Sequence, residues 1–583
     1  MGLDDTLSVD SEPVGSHYAT KDDIVTPSLA VSFSEPSLVP ADPGFGSQWH
    51  LRNNYYPDVD LNITAVWDDY TGDGVVVGVM DTGIDYHHAD LSANYRHDLD
   101  YDALAGDSDA YASNSYDNHG TAVAGVIGAT LGGGRAVGVA PDADIAGFRV
   151  GFGVGSFMQE LSALRNATNV DVLNNSWGYK GYFYDNFASY TFAPIEREFE
   201  NLVTDGRDGL GTIITFSSGN RRGQGDDVNY HSYLSARETI AVGAVELDGD
   251  YSSFSTPGAA MLVSAPGTGI YTTDARGSAG YNWSDYTYIS GTSFSAPAVA
   301  GVAALMLEAN SELGHRDVQE ILAYSAINPR ASTSGWQDNG ALEWNGGGLT
   351  FSHDYGFGLV DAHAAVRLAE TWDKQSTEAN VVKHQYNNLA STTYIADQGS
   401  VTKYFHVDSE IDVQHVEAYL NIGHAWIGDL TVELTSPDGT TSTLVDRPGV
   451  YNGYSTYGVS QDNINFTFTS VAHWGETAAG QWSLRVSDAG TSTAGYLYDW
   501  DLAFYGDAPG DDDTYVYTSE WGRLGSDQGR AVITDDAGTD TLNLAAIDTA
   551  FSLDLTPGSV TTLLGHAFTI DTSTVIENAY GGD

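Results

Sequence analysis

The sequence has no cysteine among its 583 residues, which excludes a disulfide framework, a thiol nucleophile and a thiolate metal site. Stability outside a cell must therefore come from packing or from metals. Basic residues are scarce, with 23 Lys+Arg against 79 Asp+Glu and a formal charge of −56. That field repels nucleic acid and anionic membranes, so neither is expected as a partner, and cations are favoured. No stretch approaches the ~18 apolar residues of a membrane span; Ala296 to Leu307 comes nearest and reads as a buried helix. The start, M-G-L-D-D-T-L-S-V-D, has neither a basic n-region nor an apolar h-region. It fits a cytoplasmic protein or one exported by a route that ignores the N-terminus. With 42% hydrophobic and 17% charged residues, the chain reads as a folded acidic protein, expected to be monomeric. Its length suits three or four units of roughly 150 residues each.

Residues 1–40 are polar, Ser/Pro/Asp-rich and unpatterned, and read as a flexible acidic leader or pro-segment. From 41 to 372, apolar strand-like runs such as G-V-V-V-G-V-M, I-A-G-F-R-V, T-I-I-T-F and T-I-A-V-G-A-V alternate with helical stretches, which predicts an α/β domain on a parallel sheet. From 373 to 507 the period changes to two, in V-E-A-Y-L-N-I, D-L-T-V-E-L-T, W-S-L-R-V-S and W-D-L-A-F-Y, the pattern of a β-sandwich. The acidic linker D-A-P-G-D-D-D opens a short β-rich tail over 508–583.

Three stretches carry chemistry. I-S-G-T-S-F-S-A-P-A-V-A-G-V sets Ser293 at the mouth of an apolar helix, whose free N–H groups and dipole favour negative charge nearby. Alone this is an ordinary helix cap, because a serine nucleophile also needs a base and a group to orient that base. V-V-V-G-V-M-D-T-G ends a buried strand on Asp81, at the sheet edge where α/β sites form. Y-D-N-H-G-T-A-V-A-G puts His119 at the start of a small-residue helix, a suitable base.

The order Asp81, His119, Ser293 is the subtilisin order, and over about Asp42 to Thr371 the chain resembles the subtilisin-family serine proteases, within them the kexin/furin-like branch. The resemblance implies a subtilisin-like sheet flanked by helices and an endopeptidase acting on proteins or peptides. In it Asp81 orients His119, His119 acts as base and then acid, and Ser293 attacks the scissile carbonyl. F-S-S-G-N carries the family's oxyanion asparagine at Asn220, and such a donor contributes roughly 3 kcal/mol to the transition state. N-N-S-W-G holds Ser176, Trp177 and Gly178, which resemble the edge that pairs with an extended substrate.

The same resemblance implies calcium. Asp42 and Asp90 stand where the family carries carboxylate ligands, with T-L-G-G-G-R-A at 130–136 as the loop supplying backbone carbonyls. D-Y-D-A-L-A-G-D-S-D-A matches a second calcium loop at Asp102, Asp107 and Asp109, where three carboxylates must be solvated or share a hard cation. The chain departs from furin-like enzymes at the pocket. Tyr179, Lys180 and Gly181 replace an acidic cluster, Thr82 follows the aspartate, and His231 stands for a primary-pocket Asp. Broad cleavage with an apolar preference is expected, with dibasic selectivity as the alternative if Asp117, Asp226 or Asp227 rebuild the pocket. The sandwich resembles the P domain of kexin-like enzymes. The tail, ending T-V-I-E-N-A-Y-G-G-D, resembles the segment before serralysin-type calcium repeats, which implies a bacterial protein secreted by a C-terminal signal. A non-catalytic binding protein that keeps the fold is the reading from another class.

Overall fold

The computed structural model describes residues 18–20, 38–152, 156–329, 335–341, 349–388, 392–451, 457–524, 531–535 and 537–582. The apolar runs form a seven-stranded parallel sheet. In chain order its strands are β1 (Val76–Asp81), β2 (Tyr101–Asp102), β3 (Asp144–Arg149), β4 (Val172–Asn175), β5 (Ile213–Ser217), β6 (Thr239–Val245) and β7 (Met261–Pro266). Their spatial order is β2-β3-β1-β4-β5-β6-β7. The chain thus reverses direction across the sheet at β1, and β1 ends on Asp81 at the carboxyl edge, where such a reversal opens a crevice.

Helix α1 (Asn118–Gly128) and helix α2 (Ser295–Ala309) pack on this sheet. Their small residues allow close approach; at Gly301, for example, an added Cβ would lie 2.6 Å from the Val139 Cβ. Contrary to the expectation that no stretch reaches membrane-span length, Thr292–Ala309 does so by length and composition. The one-turn helix Thr292–Phe294 runs directly into α2 and extends the apolar window. With 83% of that window buried, the segment is the core helix of this domain.

The period-two region forms two antiparallel sheets packed face to face. One contains Val382–Asn387, Gly495–Asp507, Asp412–Gly423 and Ile464–Ser470; the other contains Ser400–Val407, Gly480–Asp488, Leu430–Thr435 and Thr441–Asp446. Trp482, Phe466, Phe468 and Phe504 fill the interior, and the same cluster takes in Tyr230 and Ala259 of the α/β domain. The two units therefore share part of one hydrophobic core, beside polar contacts such as those of Arg316 with Gln414 and Asp507. The tail packs on the α/β unit: Asn543 donates to the Thr371 hydroxyl at 3.0 Å, and Val516 joins the α/β core. Of the expected leader, Tyr18–Thr20 is not free chain but a strand paired antiparallel with Asn578–Tyr580; residues 1–17 and 21–37 lie outside the described residues.

Candidate active site

Asp81 is fully buried at the end of β1. His119 sits in the first turn of α1, with Nδ1 2.9 Å from each Asp81 carboxylate oxygen. This pairing fixes Nδ1 as the protonated nitrogen and leaves Nε2 to act as a base. Burial disfavours charge on the ring, but Asp81 more than offsets it and holds the His119 pKa above its ordinary value. The His119 ring lies 5.6 Å from that of Phe294, the neighbour of Ser293. The Ser293 hydroxyl donates to the Ser176 carbonyl oxygen at 3.1 Å.

A second feature surrounds the serine. Asn220 is exposed, and its side-chain oxygen accepts from the Thr292 N–H at 2.9 Å and the Thr292 hydroxyl at 3.2 Å. Those bonds orient the amide so that Nδ2 faces outward. A Cβ added to Gly291 would lie 3.5 Å from Asn220 Nδ2 and 3.7 Å from the Ser293 nitrogen. The two nitrogens thus lie on the same side of Gly291, an arrangement suited to a developing oxyanion. Thr292, absent from the sequence reading, fixes one of them.

Residues 72–358 match the subtilase family model, and residues 413–504 match the proprotein convertase P-domain model. Residues 72–358 form a subtilase-family domain. Protease KEX1 of Kluyveromyces lactis is 32% identical over 480 residues, covering 80% of this chain and 61% of that protein. Proprotein convertase subtilisin/kexin type 4 of Homo sapiens is 33% identical, covering 81% and 62%. The solved serine protease of Aeromonas sobria matches with a TM-score of 0.70 at 25% identity, over 82% of this chain and 97% of that one. These relatives support the kexin-like branch. The chain spans about three fifths of the length of the two curated relatives.

In the subtilase domain, β4 delivers Ser176, Trp177 and Gly178 past its end beside Ser293. The Ser176 hydroxyl donates to the Ser293 carbonyl at 2.9 Å, locking the segment to the nucleophile loop. Gly178 is exposed, with open space where a Cβ would stand. Trp177 packs against Phe216 and Tyr233. Below it, buried Glu160 accepts from Ser156, Tyr179 and Tyr233, so Tyr179 anchors a hydroxyl network. His231 is buried between two carboxylates, with Nδ1 2.9 Å from Asp185 and Nε2 3.2 Å from Asp226. Burial opposes its charge, but the two acids push its pKa up to about 10. Arg221 holds the other Asp226 oxygen at 2.9 Å. Asp227 caps the turn at Asn229, and Asp117 pairs with Arg149. Each acid that was to rebuild a basic-selective pocket is thus already engaged: Asp226 with His231 and Arg221, Asp117 with Arg149, Asp227 with a backbone amide.

The two acidic loops differ. Asp90 is fully buried; one carboxylate oxygen accepts from the Arg135 and Ala136 amides at 3.2 and 3.1 Å, and the other has no hydrogen-bond partner. Asp42 accepts from the Gly132 amide at 3.0 and 3.1 Å. Its pKa is raised by burial and, against that amide, by the Asp90 charge. Two adjacent carboxylates with an orphaned buried oxygen fit a hard divalent cation. Where backbone carbonyls were expected, loop 130–136 turns its Gly132, Arg135 and Ala136 amides toward these acids, and the Tyr286 hydroxyl also lies beside Asp90. At the second loop the three acids do not converge: among the described residues, Asp102, Asp107 and Asp109 do not bring ligand oxygens within 4.8 Å of one another. Asp102 pairs with Arg149 at 2.7 Å and caps its own turn through the Leu104 and Ala105 amides. Asp109 accepts from Tyr86 at the surface. Arg149 ends the strand read as I-A-G-F-R-V; a cation at the carboxyl edge of a sheet was the available signal.

Proposed function

We propose that the protein is a serine endopeptidase hydrolysing peptide bonds through Asp81, His119 and Ser293. The observation that carries this is the buried Asp81–His119 pair, whose ring lies 5.6 Å from that of Phe294 beside Ser293, together with Asn220 Nδ2 and the Ser293 amide near each other at Gly291. An extended substrate pairing along Ser176–Gly178 takes the Ser176 carbonyl as acceptor. That displaces the Ser293 hydroxyl from it and turns the hydroxyl toward His119. His119 accepts the proton as Ser293 attacks, Asp81 stabilises the imidazolium, and the two donors take up the oxyanion charge. His119 then returns the proton to the leaving amine.

Asp42 and Asp90 would hold calcium, which would neutralise the pair and pin the 130–136 loop to it. We place the enzyme outside the cytoplasm, with units at 41–372, 373–507 and 508–583. On specificity, His231 sits where the resemblance places a carboxylate, and its pairing with Asp185 and Asp226 reduces the negative potential offered to an arginine. We therefore infer broad cleavage with apolar preference. The second reading, cleavage after paired basic residues, is favoured by a relative named a dibasic-processing endoprotease in Yarrowia lipolytica, 30% identical. Peptide-library profiling separates the two. Ser293→Ala abolishing hydrolysis and phosphonate labelling, with fold retained, is the result expected for the enzyme; labelling unchanged in that variant would place the nucleophile elsewhere.

A further inference from the structure

The loop that carries Asn220 is held from two sides, and one side is the sandwich. Arg221 donates through its backbone to the Thr256 hydroxyl at 3.0 Å and through its side chain to Asp226 at 2.9 Å, closing the loop on itself. Asp226 is braced by His231, which Asp185 braces in turn. Between Arg221 and Asp226 the chain turns at Gly225, with φ of 67°. There the Gly449 amide of the sandwich donates to the Gly225 carbonyl at 2.9 Å. A Cβ on Gly225 would stand 2.5 Å from the Val450 carbonyl oxygen and 2.6 Å from its nitrogen, so glycine is needed for the approach as well as for the conformation. A second tie follows at the loop's far end, where the Tyr230 hydroxyl accepts from the Asp446 amide at 3.1 Å.

We propose that the sandwich turn Arg447–Val450 positions the oxyanion amide of Asn220, acting through Gly225 and the Arg221–Asp226 ion pair. Gly225 and Asp226 are positioning residues: each acts on Asn220 through the Arg221 segment rather than on the scissile bond. A donor displaced from its site stabilises the transition state less while leaving ground-state binding to the Ser176–Gly178 edge intact. The inference rests on the proteolytic reading above.

The test is a double-mutant cycle on the full chain, using Gly225→Ala, Asp226→Asn and Asn220→Ala with a peptide substrate. Gly225→Ala pushes the turn away; Asp226→Asn breaks the Arg221 pair with little change of shape. Each is expected to lower kcat ~10–100-fold, below the ~100–1,000-fold for losing a donor outright, with KM within about threefold. In the Asn220→Ala background neither is expected to lower kcat further, because both act through that amide. Full additivity there, or unchanged kcat in folded single variants, overturns the inference and leaves the reaction standing. If Gly225→Ala does not fold, Asp226→Asn carries the same cycle. Absence of hydrolysis by the wild-type chain overturns the proteolytic reading, and this inference with it.

Discussion

Asp42 with Asp90, and Asp102 with Asp107 and Asp109, are two acidic groups of one domain that look alike in sequence and differ in structure. In the first, among the described residues, no basic side chain forms a salt bridge with either carboxylate, and a buried Asp90 oxygen is left without a donor. In the second, Arg149 lies between Asp102 and Asp117 at 2.7 and 2.8 Å, with only 13% of its side chain exposed. A chain with 23 basic residues for 79 acids does not give each acid a cation of its own. Where an arginine or histidine is supplied, no metal is required; where none is, hydrogen-bond donors, as at Glu160, or a hard cation compensate the charge. The spacing of acids along the chain does not distinguish the two cases. The position of the compensating cation does.

The largest effect expected from this difference is on calcium removal. A ligand that binds only the folded chain stabilises it by about 4 kcal/mol at a thousandfold excess over its Kd. Chelation should lower the Tm of the wild type accordingly, and Asp90→Asn should abolish the response. A Tm equal in calcium and chelator would remove cation binding from the Asp42–Asp90 pair. Next is Arg149→Met, which leaves two partly buried carboxylates facing each other without their cation. Breaking such a pair costs about 3 kcal/mol, and added calcium should restore part of it, since the freed acids then offer what the first site offers. Denaturant unfolding with and without calcium measures both numbers.

A third acidic site, Asp185 with Asp226, is compensated by His231 and Arg221, and its compensator titrates. The folded pKa of His231 is about 10 against 6.5 for the free side chain. Its contribution is therefore complete below pH 6.5 and lost as pH rises through 10. At pH 8.5 about 2 kcal/mol remains. Stability should fall between those limits, and His231→Gln should flatten that part of the profile; an identical alkaline limb in the variant would show that other groups set it.

The sequence made some of this legible and not the rest. Asp81, His119, Asn220 and Ser293 each sit in a short motif where a strand or helix end fixes the side chain locally, and folding brings those ends together at one sheet edge. Arg149, 32 residues from Asp117 and 47 from Asp102, has no such local pattern; neither has Asp185, 46 residues from His231. Their roles arise from strand order, which alternation of apolar runs does not specify. Gly225 is similar, since its partner turn lies in another unit. The tail adds a case of its own: Asp513, Asp535 and Asp540 bring oxygens within 4.8 Å of one another, and burial raises the pKa of Asp540 to about 7. That grouping depends on strands far apart in sequence.

The smallest effect is the most discriminating. Asp107 and Asp109 are exposed, and Asp109 accepts from Tyr86 at 2.8 Å through one oxygen, a role that an asparagine carbonyl retains. If Arg149 already compensates this loop, Asp107→Asn and Asp109→Asn should each change stability by no more than about 0.5 kcal/mol. The sign should tilt toward stabilisation, because each removes a negative charge from a chain at −56 and relieves self-repulsion. The effect should be the same in calcium and in chelator. If instead either variant is destabilised by more than about 1 kcal/mol in calcium alone, the loop rearranges to bind a cation despite Arg149. The contrast between the two acidic groups would then be one of affinity rather than of kind.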